Sequence, residues 1–320
     1  MNTIRQFISI SRLTALEIIR QPISLLLFTF CLLFIAVLPL IVSHTLGETQ
    51  KLMIDSALAI QFACGLLLGG YAACSSLSHE IDSGTASVIL SKPVGRTLFF
   101  LAKFTGIVAV LAMFSLGAAL SAVISARTTV EAFFIDKFSA FTLVAAFPLA
   151  YLISAGINFK TRRPFASNAF ITLLILVAAV FILNGFVGTK LEFTHFAANY
   201  RLEILPVALL ISIAIVMLSA IAASLATKFD TVPTLSICGT IFMIGLMSDY
   251  LFGRIADTNI WANICYRIIP NWQHFWVTDA LRNGLKIPWT YILHVTLYAG
   301  FYICGCLLFG INSFKKTEMK

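Results

Sequence analysis

The residues whose types and spacing could do chemistry are concentrated between positions 78 and 103. Glu80, Asp82, Gly84, Thr85, Lys92, Pro93, Arg96 and Lys103 form a polar island between two long apolar runs. Two acids followed by three bases, with no nucleophile and general base paired among them, point to recognition rather than bond-making. Asp82 or Ser83 can cap a helix that begins at Gly84, Thr85–Leu90 supplies two turns, and Pro93 stops it. Glu80 and Asp82 then flank the positive end of that helix, while Lys92 and Arg96 follow it. A chain that only turns back into a membrane needs four or five loop residues, and an island of roughly twenty is instead a docking surface. The alternative is a solvated loop whose charges only fix topology.

Other chemistries lack their parts. Hydrolysis of ATP by the chain itself needs a G-x-x-x-x-G-K-S/T loop to cradle phosphates. Gly185-Phe-Val-Gly188-Thr-Lys190 has the residue types at the wrong spacing. Neither a G-x-S-x-G nor an H-E-x-x-H motif occurs. His44, His79, His195 and His274 fall in different loops without ligand spacing. His294 and Asp249 lie in or near apolar runs, which makes them functional candidates. Each is alone, so His294 reads as a neutral packing residue and Asp249 as a hydrated one. The spans contain Gln61, Asn168 and Asn184 plus many Ser, Thr and Gly residues, and those small residues serve helix packing rather than a charged pore. Of the seven cysteines, only Cys265 lies in a polar loop, so no disulfide framework or metal set is expected.

These side chains must be positioned by membrane helices. The chain is 59% hydrophobic and 11% charged, against about 25% charged in soluble domains. Runs near 23–43, 56–77, 99–125, 138–157, 166–187, 204–226, 232–253 and 290–311 each approach the roughly 20 apolar residues of a spanning helix. The predicted fold is all-α: a polytopic bundle of about eight transmembrane helices, in one domain over residues 1–320. Lys and Arg cluster in alternate loops, at Arg5, Arg12, Arg20, Lys92, Arg96, Lys103, Lys160, Arg162, Arg163, Lys228, Lys315 and Lys316. That places both termini in the cytoplasm. The net charge of +8 is spread along the loops and suits anionic lipid headgroups rather than nucleic acid. No cleavable leader is expected, since residues 3–20 are too polar for one; they read as an amphipathic interfacial helix. Residues 254–289 hold all four tryptophans, and Asn271–Asn283 reads as a helix stopped by Gly284. That loop lies on, or dips into, the outer leaflet; an ordinary aromatic belt is the plain alternative.

Glu80-x3-Gly84-Thr85-x4-Leu90-x2-Pro93-x2-Arg96, with Lys103 and Gly106 opening the next span, resembles the membrane subunit of ABC-2 type transporters. Ile269-Pro270-Asn271, Phe275-Trp276, Asp279-Ala280-Leu281, Gly284 and Ile287-Pro288, before a last span ending in Phe314-Lys315-Lys316, is similar to the end of such permeases, nearest the multicopper-enzyme-maturation group. The resemblance implies that 78–96 is a cytoplasmic coupling helix seated in a separate ABC ATPase subunit. Glu80, Asp82, Gly84, Thr85, Leu90, Pro93 and Arg96 would make that contact. It implies an exporter in the cell membrane (the inner membrane in a Gram-negative cell), with a second permease subunit as partner. ATP and Mg would be bound by the ATPase and no cofactor by this chain, which would be a transporter subunit and not an enzyme. The family's usual six spans is the alternative to eight. The rival functions are a membrane scaffold that moves nothing and an integral membrane enzyme.

Overall fold

The computed structural model describes residues 3–42, 49–82, 95–129, 136–188, 192–255, 259–282 and 287–316. Among them the regular secondary structure is helical, apart from one isolated bridge between Val187 and Phe193. The helices are α1 (Thr3–Arg20), α2 (Pro22–Val42), α3 (Thr49–Asp82), α4 (Arg96–Thr128), α5 (Lys137–Thr161), α6 (Phe165–Phe186), α7 (Ile204–Leu225), α8 (Thr231–Leu246), α9 (Ile260–Ile268), α10 (Thr278–Arg282) and α11 (Trp289–Lys316). Seven of them, α2 to α7 and α11, are long and apolar enough to cross a membrane. The chain is a multi-pass membrane protein.

The seventh predicted run, 232–253, is modified. Its helix α8 has 16 residues, about 24 Å at 1.5 Å per residue and short of a hydrocarbon layer of about 30 Å. The Met247 N–H is shared between the carbonyls of Met243 and Ile244, and Asp249–Gly253 continue as one wider π turn. The cause lies at Gly245, where a Cβ would overlap the Pro270 carbonyl and press on the Trp272 indole. The returning loop takes the space that a straight helix would fill.

First and last helices share one end of the bundle. Arg96, opening α4, donates to the Lys315 carbonyl at the end of α11 (2.8 Å), and Phe99 and Phe100 pack on Phe314. At the same end Ser75 of α3 donates to Gln21, between α1 and α2 (3.4 Å). The start of α2 and the end of α11 therefore lie at the same end of the bundle. Arg20, Lys103, Arg162, Arg163 and Lys228 gather at this basic end.

The centre is formed by α4 and α7, the most buried spans. Phe28 of α2 stacks on Phe170 of α6 at 4.2 Å and meets Phe114 of α4. The predicted helix 3–20 forms and lies against α4. Gly106 permits the approach, since a Cβ there would sit 2.6 Å from the Ser11 carbonyl oxygen and 2.7 Å from Thr14 Cβ. Thr14, Ile18 and Ile19 are buried, whereas Ile4, Ile8 and Leu13 face outward. Between spans, Gln61 donates to the Ala208 carbonyl, Ser125 to that of Ile35 and Asn184 to Thr142 Oγ1. Polar side chains thus link helices where the hydrophobic effect does not drive them together.

The predicted helix over 271–283 is corrected. Residues Trp272–Phe275 form a single 3-10 turn capped by Asn271, and a separate short helix covers Thr278–Arg282. The reason is burial: Trp272 and Phe275 insert into the bundle, Trp272 against Phe242 of α8. Trp261 and Trp289 remain exposed. The tryptophans therefore divide into a plug and a belt.

Candidate functional site

Glu80 and Asp82 ride on the last turn of α3. Asp82 thus extends the preceding helix. Gly84, Thr85, Leu90 and Pro93 lie outside the described residues, together with the helix predicted across 84–90. The chain resumes at Gly95 in an extended conformation and enters α4 at Arg96. Arg96 is exposed, and one arm of its guanidinium is committed to the Lys315 carbonyl. The island is therefore strung between the ends of α3 and α4, with the end of α11 tied to its exit.

Lys103, about two turns further along α4, was expected among the island's bases and the charges that fix topology. Its side chain is buried. Its ammonium donates to the Ser76 carbonyl of α3 (3.1 Å), pairs with Glu17 of α1 (3.7 Å) and lies 5.7 Å from the Phe99 ring centre. One cation thus joins α1, α3 and α4 at the basic end. Glu17 is half-exposed, so the ion pair itself contributes little; the buried hydrogen bond to Ser76, about 1.5–3 kcal/mol for a charged donor, dominates. Lys103→Met is expected to loosen α1 and speed trypsin cleavage at Arg5, Arg12 and Arg20 by roughly tenfold or more. Lys103→Arg should remain close to wild type. Equal cleavage rates in all three proteins would refute the joint.

Beyond the basic end, α4 and α11 part. The wedge between them is a cavity of about 260 Å³ floored by α7. Leu111, Val216, Ala299 and Ile303 supply apolar wall, and Ser115, Ser212 and Thr296 supply hydroxyls. Ala112 and Thr296 are exposed at the rim, while Ser115 lies buried within. The cavity therefore opens sideways between spans.

The opposite end carries a polar assembly that sequence reasoning missed. Arg127, at the end of α4, and Asp136, before α5, form a buried ion pair (3.3 Å). The Arg127 guanidinium also donates to the Asn184 carbonyl and to the Val187 carbonyl (2.6 Å), and lies 5.8 Å from the Tyr200 ring centre. Asp136 accepts from the Phe138 and Ser139 amides, capping α5. The one available sequence signal was Asp136 three residues before Ser139, a helix-start pattern. Burial pushes the Tyr200 phenol up to about 12, so its hydrogen bond to the Phe181 carbonyl (2.6 Å) survives ordinary alkaline conditions.

Asp249 is not merely hydrated. One of its oxygens accepts from Tyr266 (2.7 Å) and Asn271 (2.9 Å), and that acceptance raises the Tyr266 phenol above its usual range. His294 hydrogen-bonds the Thr290 carbonyl of its own helix and stays exposed rather than packed. Among the described residues, no three His, Cys, Asp or Glu side chains assemble as a metal site.

No family model matches the chain, and no curated protein or solved structure matches it at a significant level.

Proposed function

We propose that the chain is the membrane-spanning permease subunit of an ABC-2 type ATP-driven exporter. It sits in the cell membrane with its basic end in the cytoplasm, paired with a second permease. A separate ABC ATPase binds ATP and Mg and grips residues 78–96. The observation that supports this reading is the placement of the island. Its described ends, Glu80 and Asp82 on α3 and Arg96 on α4, lie at the basic end, where Lys103 joins α1, α3 and α4 and Arg96 is tied to α11. A pull on the end of α3 and the start of α4 therefore acts on α1 and α11 as well, through Lys103 and Arg96. A motor can shift the bundle only by its differential affinity for the bundle's two packings, and such stiff connections are what makes that difference usable.

The test uses the permease co-expressed with its ATPase and reconstituted in proteoliposomes. Glu80→Gln and Arg96→Ala are expected to bring permease-stimulated ATP hydrolysis close to the rate of the ATPase alone, with membrane insertion intact. Full stimulation in both variants would overturn the assignment. So would purification of the wild-type chain without any ATPase, which is the outcome a scaffold would give.

A further inference from the structure

We propose that the wedge between α4, α7 and α11 is the cargo site, and that it takes one alkyl chain of a membrane amphiphile carrying a carbonyl or ether oxygen. The proposal names the substrate class of the permease reading and rests on it for its biological meaning; binding itself is a property of this chain alone.

Depth is the first argument. Thr296 lies seven residues into α11 and Ile303 fourteen, about 10 and 21 Å along the helix. The cavity therefore faces the hydrocarbon layer, not the headgroups. The mouth is set by Ala112 and Thr296, which are exposed, so a bilayer chain enters without crossing water.

The lining selects against other occupants. Its residues are aliphatic apart from three hydroxyls, and none is charged. Ser212 and Thr296 already donate to carbonyls of their own helices, those of Ala208 and Ile292. Ser115 does not: its Oγ is buried and has no partner. A serine within a helix ordinarily bonds back to its own backbone, and a buried unpartnered hydroxyl carries a penalty. With the protons of Ser212 and Thr296 committed, those hydroxyls can only accept, and Ser115 is the lining hydroxyl with a proton left to donate. An alkyl chain with a single acceptor oxygen satisfies both the wall and Ser115.

The cavity also has room where a side chain could stand. A Cβ at Gly300 would meet no atom within 4 Å. The link to the motor is geometric. The wedge closes at the basic end through Arg96 to Lys315 and through Phe100 against Phe314, so motion of the island changes the angle at which α4 and α11 open.

The experiment uses the full-length protein without ATPase, in phospholipid nanodiscs, with a diazirine-bearing palmitic acid as probe and adducts located by mass spectrometry. Adducts should concentrate on residues 111–115, 212–216 and 296–303 and be displaced by unlabelled palmitic acid. Gly300→Leu fills the wedge and should lower labelling there about tenfold, equivalent to about two lost methylene contacts. Ala112→Phe, which blocks the mouth from another helix, should do the same if Gly300→Leu lowers thermal stability. Labelling spread evenly over α5, α6 and α11, undiminished by either variant or by competitor, would overturn the site. ATPase stimulation without displaceable labelling would defeat this inference alone, whereas displaceable labelling without ATPase stimulation would defeat the permease reading alone.

Discussion

Replacing Arg127 with methionine is expected to destabilise the bundle by about 3–5 kcal/mol, the penalty for leaving one member of a buried ion pair without its partner. Both side chains are almost fully enclosed, so water cannot take over the solvation of the Asp136 carboxylate. The Asn184 and Val187 carbonyls lose their donor at the same time. Asp136→Asn should be nearly as damaging, because it strands the guanidinium. Arg127→Met combined with Asp136→Asn should recover a substantial part of the loss. The double variant buries no net charge, and asparagine still caps α5 as well as aspartate does. Apparent melting temperature in detergent, followed by tryptophan fluorescence, decides the matter. Additive losses in the double variant would show that the two residues act independently and that the pair is not a structural unit.

The same pair shows where sequence reasoning ends. The spans were legible because each needs a long apolar run, and seven of the eight runs appear as spanning helices with ends within a few residues of those predicted, α3 apart. The helix at 3–20 was legible for a similar reason, its alternation of apolar and charged residues. A charge at the end of a span, however, looks the same whether it faces water or a partner. Arg127 is 9 residues from Asp136 but 57 from Asn184, and nothing local announces that long-range contact. Lys103 was hidden likewise, because its partners come from α1 and α3. The wedge was invisible for a stronger reason. Leu111, Val216 and Ile303 are ordinary membrane residues, and only the divergence of two helices turns them into walls. In the island, Glu80 and Asp82 were expected just before a short helix beginning at Gly84; Asp82 instead closes α3, and the predicted helix lies outside the described residues.

Trp272→Ala is the second substitution expected to have a large effect, and it acts on the opposite end of α11. The indole is fully buried against Phe242 and in the notch at Gly245, and truncating a buried Trp costs about 3–5 kcal/mol. The loss falls on a segment with its own attachments. Asn271 donates its N–H to the Tyr298 hydroxyl, Tyr302 donates to the Arg267 carbonyl and Tyr291 to that of His274. These three tyrosines lie on one face of α11 and grip the loop along its length. Releasing Trp272 should free the loop as a unit, so trypsin should cut at Arg254 and Arg267 while the spans stay resistant. Gly245→Ala tests the same notch from α8. A Cβ there meets the Pro270 backbone, which cannot rotate away as a side chain can. The Trp272 emission should therefore move to longer wavelength as the ring is expelled. If Gly245→Ala leaves both emission and cleavage unchanged, the plug is not seated in that notch. If the loop is released as expected, α11 loses its anchor at the end farthest from Arg96. The wedge then depends on the basic end alone, and labelling by the diazirine palmitate should become less sensitive to Gly300→Leu.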